Sequence, residues 1–279
     1  MELGRSSYKS IEFSLAEQIV KVLNEREFRY VPRKGPPGEL AKSWIQRFMG
    51  YRWGSSSDPF SDLDLIISIQ SSLESGREEL INSGRFSPAS HTRVQAAVLD
   101  LFKWGRVTRG EGHDPPNMRF VESVLKTAFH CSDSFNAPLD SAWTKLAAIS
   151  TSSVKITDNR FPQVIFDSRV SVALLESIDA VCELDSRYTE LKDAYRKAGL
   201  GYVSGRGGNR LARVASLHKK GWKSGYGKWS AQFVASRLVA KMVLVLNSTE
   251  HIPRMPGPNG ITQPWDTRGV EKVLFMDGY

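Results

Sequence analysis

Residues 161–174 read FPQVIFDSRVSVAL, and both the fold and the chemistry turn on this stretch. Up to Phe166 it is an apolar run stiffened by Pro162, with no helical period. Beyond Asp167 the apolar positions Val170, Leu174, Ile178 and Val181 recur at steps of four, four and three, the spacing of one helix face. The change of period predicts an extended segment that ends at Asp167 and a helix that begins there. Asp is a favoured N-cap, because its carboxylate accepts hydrogen bonds from unpaired N–H groups of the first turn. Those groups and the positive end of the helix dipole favour a negative charge at that position. The result is a carboxylate partly sheltered from water. Most such aspartates only cap their helix, so position alone does not assign Asp167 a chemical role.

Working outward, helical spacing dominates. Residues 11–25 place Ile11, Leu15, Ile19 and Leu23 at steps of four. Comparable patterns cover 39–50, 62–73, 91–103, 118–129, 138–150 and 230–246, and few alternating runs compete with them. The expected fold class is all-α, with at most a short hairpin or two. Pro/Gly clusters at 31–40, 109–117 and 252–264 punctuate the chain. The second of these predicts an N-terminal helical lobe over 1–108 and a C-terminal helical lobe over 109–279, packed as one unit.

The 279 residues carry 38 Lys+Arg against 30 Asp+Glu, a net charge of +8, and a polyanion is the usual partner of such a surplus. Its distribution sharpens this. From Ala194 to Thr249 there is no Asp or Glu, while Arg206, Arg210, Arg213, Lys219, Lys220 and Lys223 cluster there with Tyr202, Trp222, Tyr226, Trp229 and several glycines. Cations neutralise phosphates, aromatic faces stack on bases, and glycines let backbone N–H groups approach phosphate oxygens. The two cysteines, Cys131 and Cys182, make no disulfide framework or cysteine zinc site. The N-terminal residues carry no apolar signal region, and no apolar stretch is read as a bilayer span, so a cytoplasmic location and no membrane partner are expected.

The stretch 161–174 resembles the loop-to-helix segment of the helix-hairpin-helix DNA glycosylase superfamily, in which a Pro-containing loop ends in an essential aspartate. It is similar to the bacterial oxoguanine-glycosylase-like branch. PLDSAWTKLAAIS at 138–150 resembles the preceding helix of that branch. The resemblance covers roughly residues 95–185. It implies a two-lobed helical fold with the site between the lobes, Asp167 as the essential carboxylate, and Lys145, 22 residues upstream, at the position of the amine nucleophile of bifunctional members. It further implies double-stranded DNA carrying a modified base as partner, with no cofactor and no metal, in DNA repair or phage defence. Hydrolysis by water, with no covalent adduct, is the expected course. Leu139-Asp140-Ser141-Ala142-Trp143 lacks the glycines with which the superfamily's hairpin grips a phosphate. DNA binding is therefore expected to fall on Arg169 and on the basic cluster from Arg206 to Lys223.

Breaking an N-glycosidic bond drives the sugar towards an oxocarbenium ion, which a fixed carboxylate stabilises. The target nucleotide must leave the stack, so wedging and stacking side chains are expected. Tyr51, Trp53, Phe102, Trp104, Trp143 and Trp222 are candidates, and the base pocket is expected at Tyr51, Trp53 and Trp104, from the steps YRWG and KWGR. Two other classes compete. Gly54-Ser55 followed by Asp62-Leu63-Asp64 resembles a nucleotidyltransferase fingerprint, in which an Asp-x-Asp on a strand binds magnesium. The basic segment alone would suit a non-catalytic DNA-binding protein.

Overall fold

The computed structural model describes residues 3–29, 40–52, 58–107, 113–203, 210–225 and 228–278. These are mostly helical. In chain order the helices are α1 (Leu3–Glu25), α2 (Trp44–Met49), α3 (Leu63–Ser83), α4 (Pro88–Trp104), α5 (Met118–His130), α6 (Ser141–Ser150), α7 (Ser168–Leu184), α8 (Thr189–Lys197), α9 (Arg210–Lys219), α10 (Trp229–Ser248) and α11 (Thr267–Asp277). The described strands are two-residue pairs. β1 (Phe28–Arg29) runs antiparallel to β2 (Leu40–Ala41), and β3 (Met255–Pro256) to β4 (Thr262–Gln263).

Local chemistry sets the helix ends. Ser43, Ser87, Asn117, Asp140, Asp167 and Asp266 each accept from a backbone N–H of the following turn. Pro88 fills the first turn of α4, where its missing N–H costs nothing. Gly84, at φ 78°, terminates α3 in the left-handed conformation that a side chain would resist.

The described residues form two hydrophobic cores. Leu15, Ile19 and Leu23 of α1 pack with Trp44 and Phe48 of α2, Leu174 and Ile178 of α7, Leu238 and Met242 of α10, and Val270 and Leu274 of α11. Ile69, Leu73 and Leu80 of α3 pack with Val94, Val98 and Leu101 of α4, Val121, Val124 and Leu125 of α5, and Trp143, Leu146 and Ile149 of α6. This grouping differs from a division at 108/109. α1 and α2 share their core with the C-terminal helices, and the middle segment from α3 to α6 builds its own. The reason is which apolar stripes face one another, something that a Pro-rich loop does not report. Trp229, at the start of α10, reaches into the second core and donates Nε1 to Ala137 O at 3.0 Å, which ties the two together.

Among the described residues, α10 is the helix long and apolar enough by length and composition to cross a membrane, with 72% of that window buried inside the protein. Its two cations face the buried carboxylate of Glu12 on α1: Arg237 donates to it at 2.7 Å, and Lys241 lies 3.9 Å away.

Candidate active site between the two cores

The segment 161–166 runs from the second core to the first, and every one of its residues is buried. It pairs with no described strand, so its backbone polar groups need other partners. Side chains supply them. Gln163 N donates to Thr151 Oγ1 at 2.8 Å, Val164 N to Ser236 Oγ at 3.1 Å, and Ile165 N to Glu271 Oε2 at 2.8 Å. Val164 O accepts from Gln232 Nε2 at 2.7 Å. Polar side chains on α10 and α11 therefore hold the extended run straight as it delivers Asp167 to the head of α7. Gln232→Ala orphans a buried carbonyl and is expected to cost about 1–3 kcal/mol of stability, read by denaturant unfolding.

At the N-cap of α7, Asp167 Oδ1 accepts from Arg169 N at 2.8 Å and Val170 N at 3.0 Å. Its second oxygen, Oδ2, lies 3.8 Å from Arg169 Nη1, and its side chain is 15% exposed. One oxygen caps the helix, the other faces Arg169, and the side chain as a whole is only slightly exposed. The guanidinium of Arg169 lies over the Phe275 ring, 4.3 Å from its centre, largely covered by protein. That placement suits steadying Asp167 better than reaching a phosphate.

Lys145 lies on the α6 helix, buried to 5% exposure, and its Nζ donates to Ser141 O at 2.8 Å. Burial pushes its ammonium below the ordinary lysine range; the charges of Asp167, Glu271 and Asp140 oppose that shift. Asp167 and Lys145, distant in sequence, therefore belong to one electrostatic cluster. Its other members include Glu271, held towards the neutral form by burial and paired with Arg268 on α11, and Tyr51, whose phenol burial pushes well up. Gly105 makes room for Lys145: a Cβ there would fall 2.6 Å from the lysine Cδ.

Beside this cluster is a cavity of about 150 Å³ between α2, α11 and the β3–β4 hairpin on one side and the facing ends of α3 and α4 on the other. Tyr51 and Trp104 both line it, with Phe48, Phe60, Asp62, Arg268 and Lys272. Trp104 Nε1 donates to Asp62 Oδ2 at 3.0 Å. Tyr51 links cavity and cluster, since its ring lies 5.3 Å from that of Phe275, which Arg169 covers. Trp53, the third expected pocket residue, lies outside the described residues, as do Gly54 and Ser55. Phe102, Trp143 and Trp222 are core residues instead. Trp222 donates Nε1 to Asp179 Oδ2 at 2.9 Å with Arg196 and Lys192 over its ring, and it is buried, so it is not open to a base.

The acid-free stretch of sequence is not an acid-free surface. Glu176, Asp179 and Glu183, one turn apart along α7, meet it in space. Arg213 forks onto Glu176 at 2.9 and 2.6 Å and also donates to Asp277 O at 2.7 Å, and Lys220 pairs with Glu183 at 2.7 Å. Lys219 and Lys223 are exposed. Arg206 and the side chain of Arg210 lie outside the described residues. The segment is anchored beside the site, since Val203 N donates to Ser171 Oγ in the first turn of α7 at 3.0 Å.

The head of α6 is closed by a carboxylate of the chain itself. Asp140 Oδ1 accepts from Ala142 N at 2.7 Å and Trp143 N at 3.1 Å, so a carboxylate of the chain already occupies the anion site that a phosphate would use. Asp62 and Asp64 sit at the start of α3, an α-helix, where the transferase fingerprint requires a strand. Among the described residues, no three His, Cys, Asp or Glu side chains are grouped to hold a metal ion.

The reading of the sequence missed α11. The signal was present: Val270, Val273 and Leu274 make one helix face, and Arg268, Glu271 and Lys272 make the opposite one. Charged residues on a buried helix need a reason, and here they line the cavity or brace the crossing segment. The chain matches no family model, no curated protein and no solved structure.

Proposed function

We propose that the protein is a two-lobed DNA N-glycosylase of the helix-hairpin-helix type, which extrudes a modified base and breaks its N-glycosidic bond, in repair or phage defence. The observation that carries this reading is a buried lysine, Lys145, within electrostatic reach of the Asp167 carboxylate, beside an aromatic cavity at the junction of two helical cores. The base enters between Tyr51 and Trp104. Asp167, fixed by its cap bonds, faces the sugar and stabilises positive charge as the bond to the base lengthens. The depressed lysine favours a covalent course over plain hydrolysis: neutral Nζ donates its lone pair to C1′, the C1′–N bond electrons leave with the base, and that base takes up a proton. Ring opening then gives a Schiff base that water resolves to an abasic site and free lysine. Exposed Lys219 and Lys223 contact phosphates, which makes binding fall with added salt.

The test is incubation with duplexes carrying a panel of modified bases in EDTA, followed by alkali to cut abasic sites. Cleaved strand without metal is expected. A requirement for magnesium and a nucleoside triphosphate, or salt-sensitive binding with no product from any duplex, would overturn the reading. One variant probes the lysine's seat. Gly105→Ala thrusts a methyl group into the Lys145 stem, and displacements of about 1 Å cost up to roughly 100-fold in rate. Base release is expected to drop tenfold or more while the circular-dichroism melt stays cooperative.

A further inference from the structure

The cavity shared by Tyr51 and Trp104 is built around one ammonium group. Lys272 projects from α11, one turn beyond Arg268, and its Nζ donates to Pro59 O at 2.7 Å. The same nitrogen lies 5.3 Å from the ring centre of Phe48, 5.2 Å from Tyr51 and 5.7 Å from Phe60. Three aromatic faces stabilise a cation without offering a hydrogen-bond acceptor. An ammonium carries three donors. Pro59 takes one, and among the described residues no carboxylate comes within ion-pair distance of the others.

The other charged groups around the cavity are already engaged. Asp62 accepts from Trp104, Asp266 caps α11 through Gly269 N at 2.7 Å, and Arg268 pairs with Glu271. Asp58 accepts from Phe60 N at 2.9 Å. Lys272 therefore brings unspent hydrogen-bonding capacity to the cavity wall, and the capacity of an ammonium is donor only. A base that turns a carbonyl oxygen towards it gains a charge-assisted hydrogen bond. A base that turns an exocyclic amino group there sets donor against donor and leaves both unpaired.

We infer that Lys272 is the specificity-determining residue of this pocket, selecting bases that present a keto oxygen over those that present an amino group. The inference rests on the glycosylase reading and deepens it. As the C1′–N bond breaks, its electron pair delocalises onto the carbonyl oxygen of the leaving base, so the ammonium also stabilises the charge that develops there. Burial, then the neighbouring Arg268, pushes Lys272 down to about 8, with Asp266, Glu271 and Asp58 opposing. The group is therefore mostly charged at neutral pH, and above that value it becomes a neutral amine that can accept as well as donate.

Matched pairs test this. Duplexes would carry 5-hydroxymethyluracil or 5-hydroxymethylcytosine, and hypoxanthine or adenine; each pair differs at one oxygen-for-amino exchange. For wild-type protein the keto member of a pair should be released roughly tenfold faster or more at neutral pH, the factor expected when one buried polar group is left unpaired. That preference should fade above pH about 8. Lys272→Met should abolish it, and Lys272→Arg, which keeps a charge across this range, should keep it at every pH. Equal or faster release of the amino members, a preference unchanged in Lys272→Met, or the same pH profile in wild type and Lys272→Arg would overturn the inference alone. Release of other bases but of neither member of either pair would do the same. Release of no base from any modified duplex would remove the glycosylase reading and this inference together.

Discussion

Asp167→Asn is expected to slow base release by about 100- to 1,000-fold or more while leaving the melting temperature almost unchanged. The two halves of this result separate the two roles of the residue. Asn caps helices about as well as Asp, and its Oδ1 can still accept from Arg169 N and Val170 N, which Asp167 Oδ1 now does. The head of α7 therefore keeps its hydrogen bonds. What disappears is the negative charge that the electron-poor sugar requires, and removal of one preorganised electrostatic partner typically costs factors of this size. Asp167→Ala removes cap and charge together, so it should add about 1 kcal/mol of destabilisation to the same kinetic loss. Base release that survives in Asp167→Asn would reduce the residue to a cap and leave the proposed chemistry without its main group.

Lys145→Gln is expected to abolish any covalent adduct that borohydride traps between protein and DNA, and to reduce base release by at least about 100-fold. Wild-type protein should form the adduct, with a rate that climbs as pH rises through the lowered value of Lys145, because only the neutral amine attacks. A second substrate distinguishes this lysine from Asp167. On DNA with a preformed abasic site the bond to the base is already broken, so Asp167→Asn should still be trapped and Lys145→Gln should not. Removing the Asp167 charge also removes a group that holds the Lys145 ammonium protonated, which further favours trapping. Stability gives an independent check. Burial depresses Lys145 in the folded state, so the unfolded chain binds the proton more tightly. Stability then rises with pH between the lowered value and the ordinary 10.5. Lys145→Met should flatten that slope and leave the protein as stable as the wild type or more so, since no charge is then buried. A wild-type protein that releases base without any trapped adduct would return the mechanism to direct hydrolysis by water.

Much of this arrangement was legible along the chain. The step-of-four spacing of Leu15, Ile19 and Leu23 and of Val170, Leu174 and Ile178 required helices because side-chain direction repeats every 3.6 residues. The change of period at Asp167 located a cap, and α7 begins at Ser168. Other features were hidden because they arise from pairings between distant residues. Arg213 and Lys220 stand in a tract without acids, yet α7 lays Glu176 and Glu183 alongside them. Trp222 looked available for stacking until Asp179 took its N–H and Arg196 covered its ring. Lys272 drew no notice among ordinary surface lysines. Its environment is made by Phe48, Tyr51 and Phe60, more than 200 positions away.

By itself the sequence determined the helical class, the capping chemistry of the helix ends and the residue types of the candidate site. Those follow from local rules: backbone periodicity, the reach of short polar side chains to nearby N–H groups, and the charge each residue carries in water. Tertiary structure alone decided the grouping of helices into two cores, the burial that depresses Lys145 and Lys272, and the neutralisation of half-expected phosphate contacts. Each of these depends on which surfaces exclude water from one another, and water exclusion is a property of the packed chain.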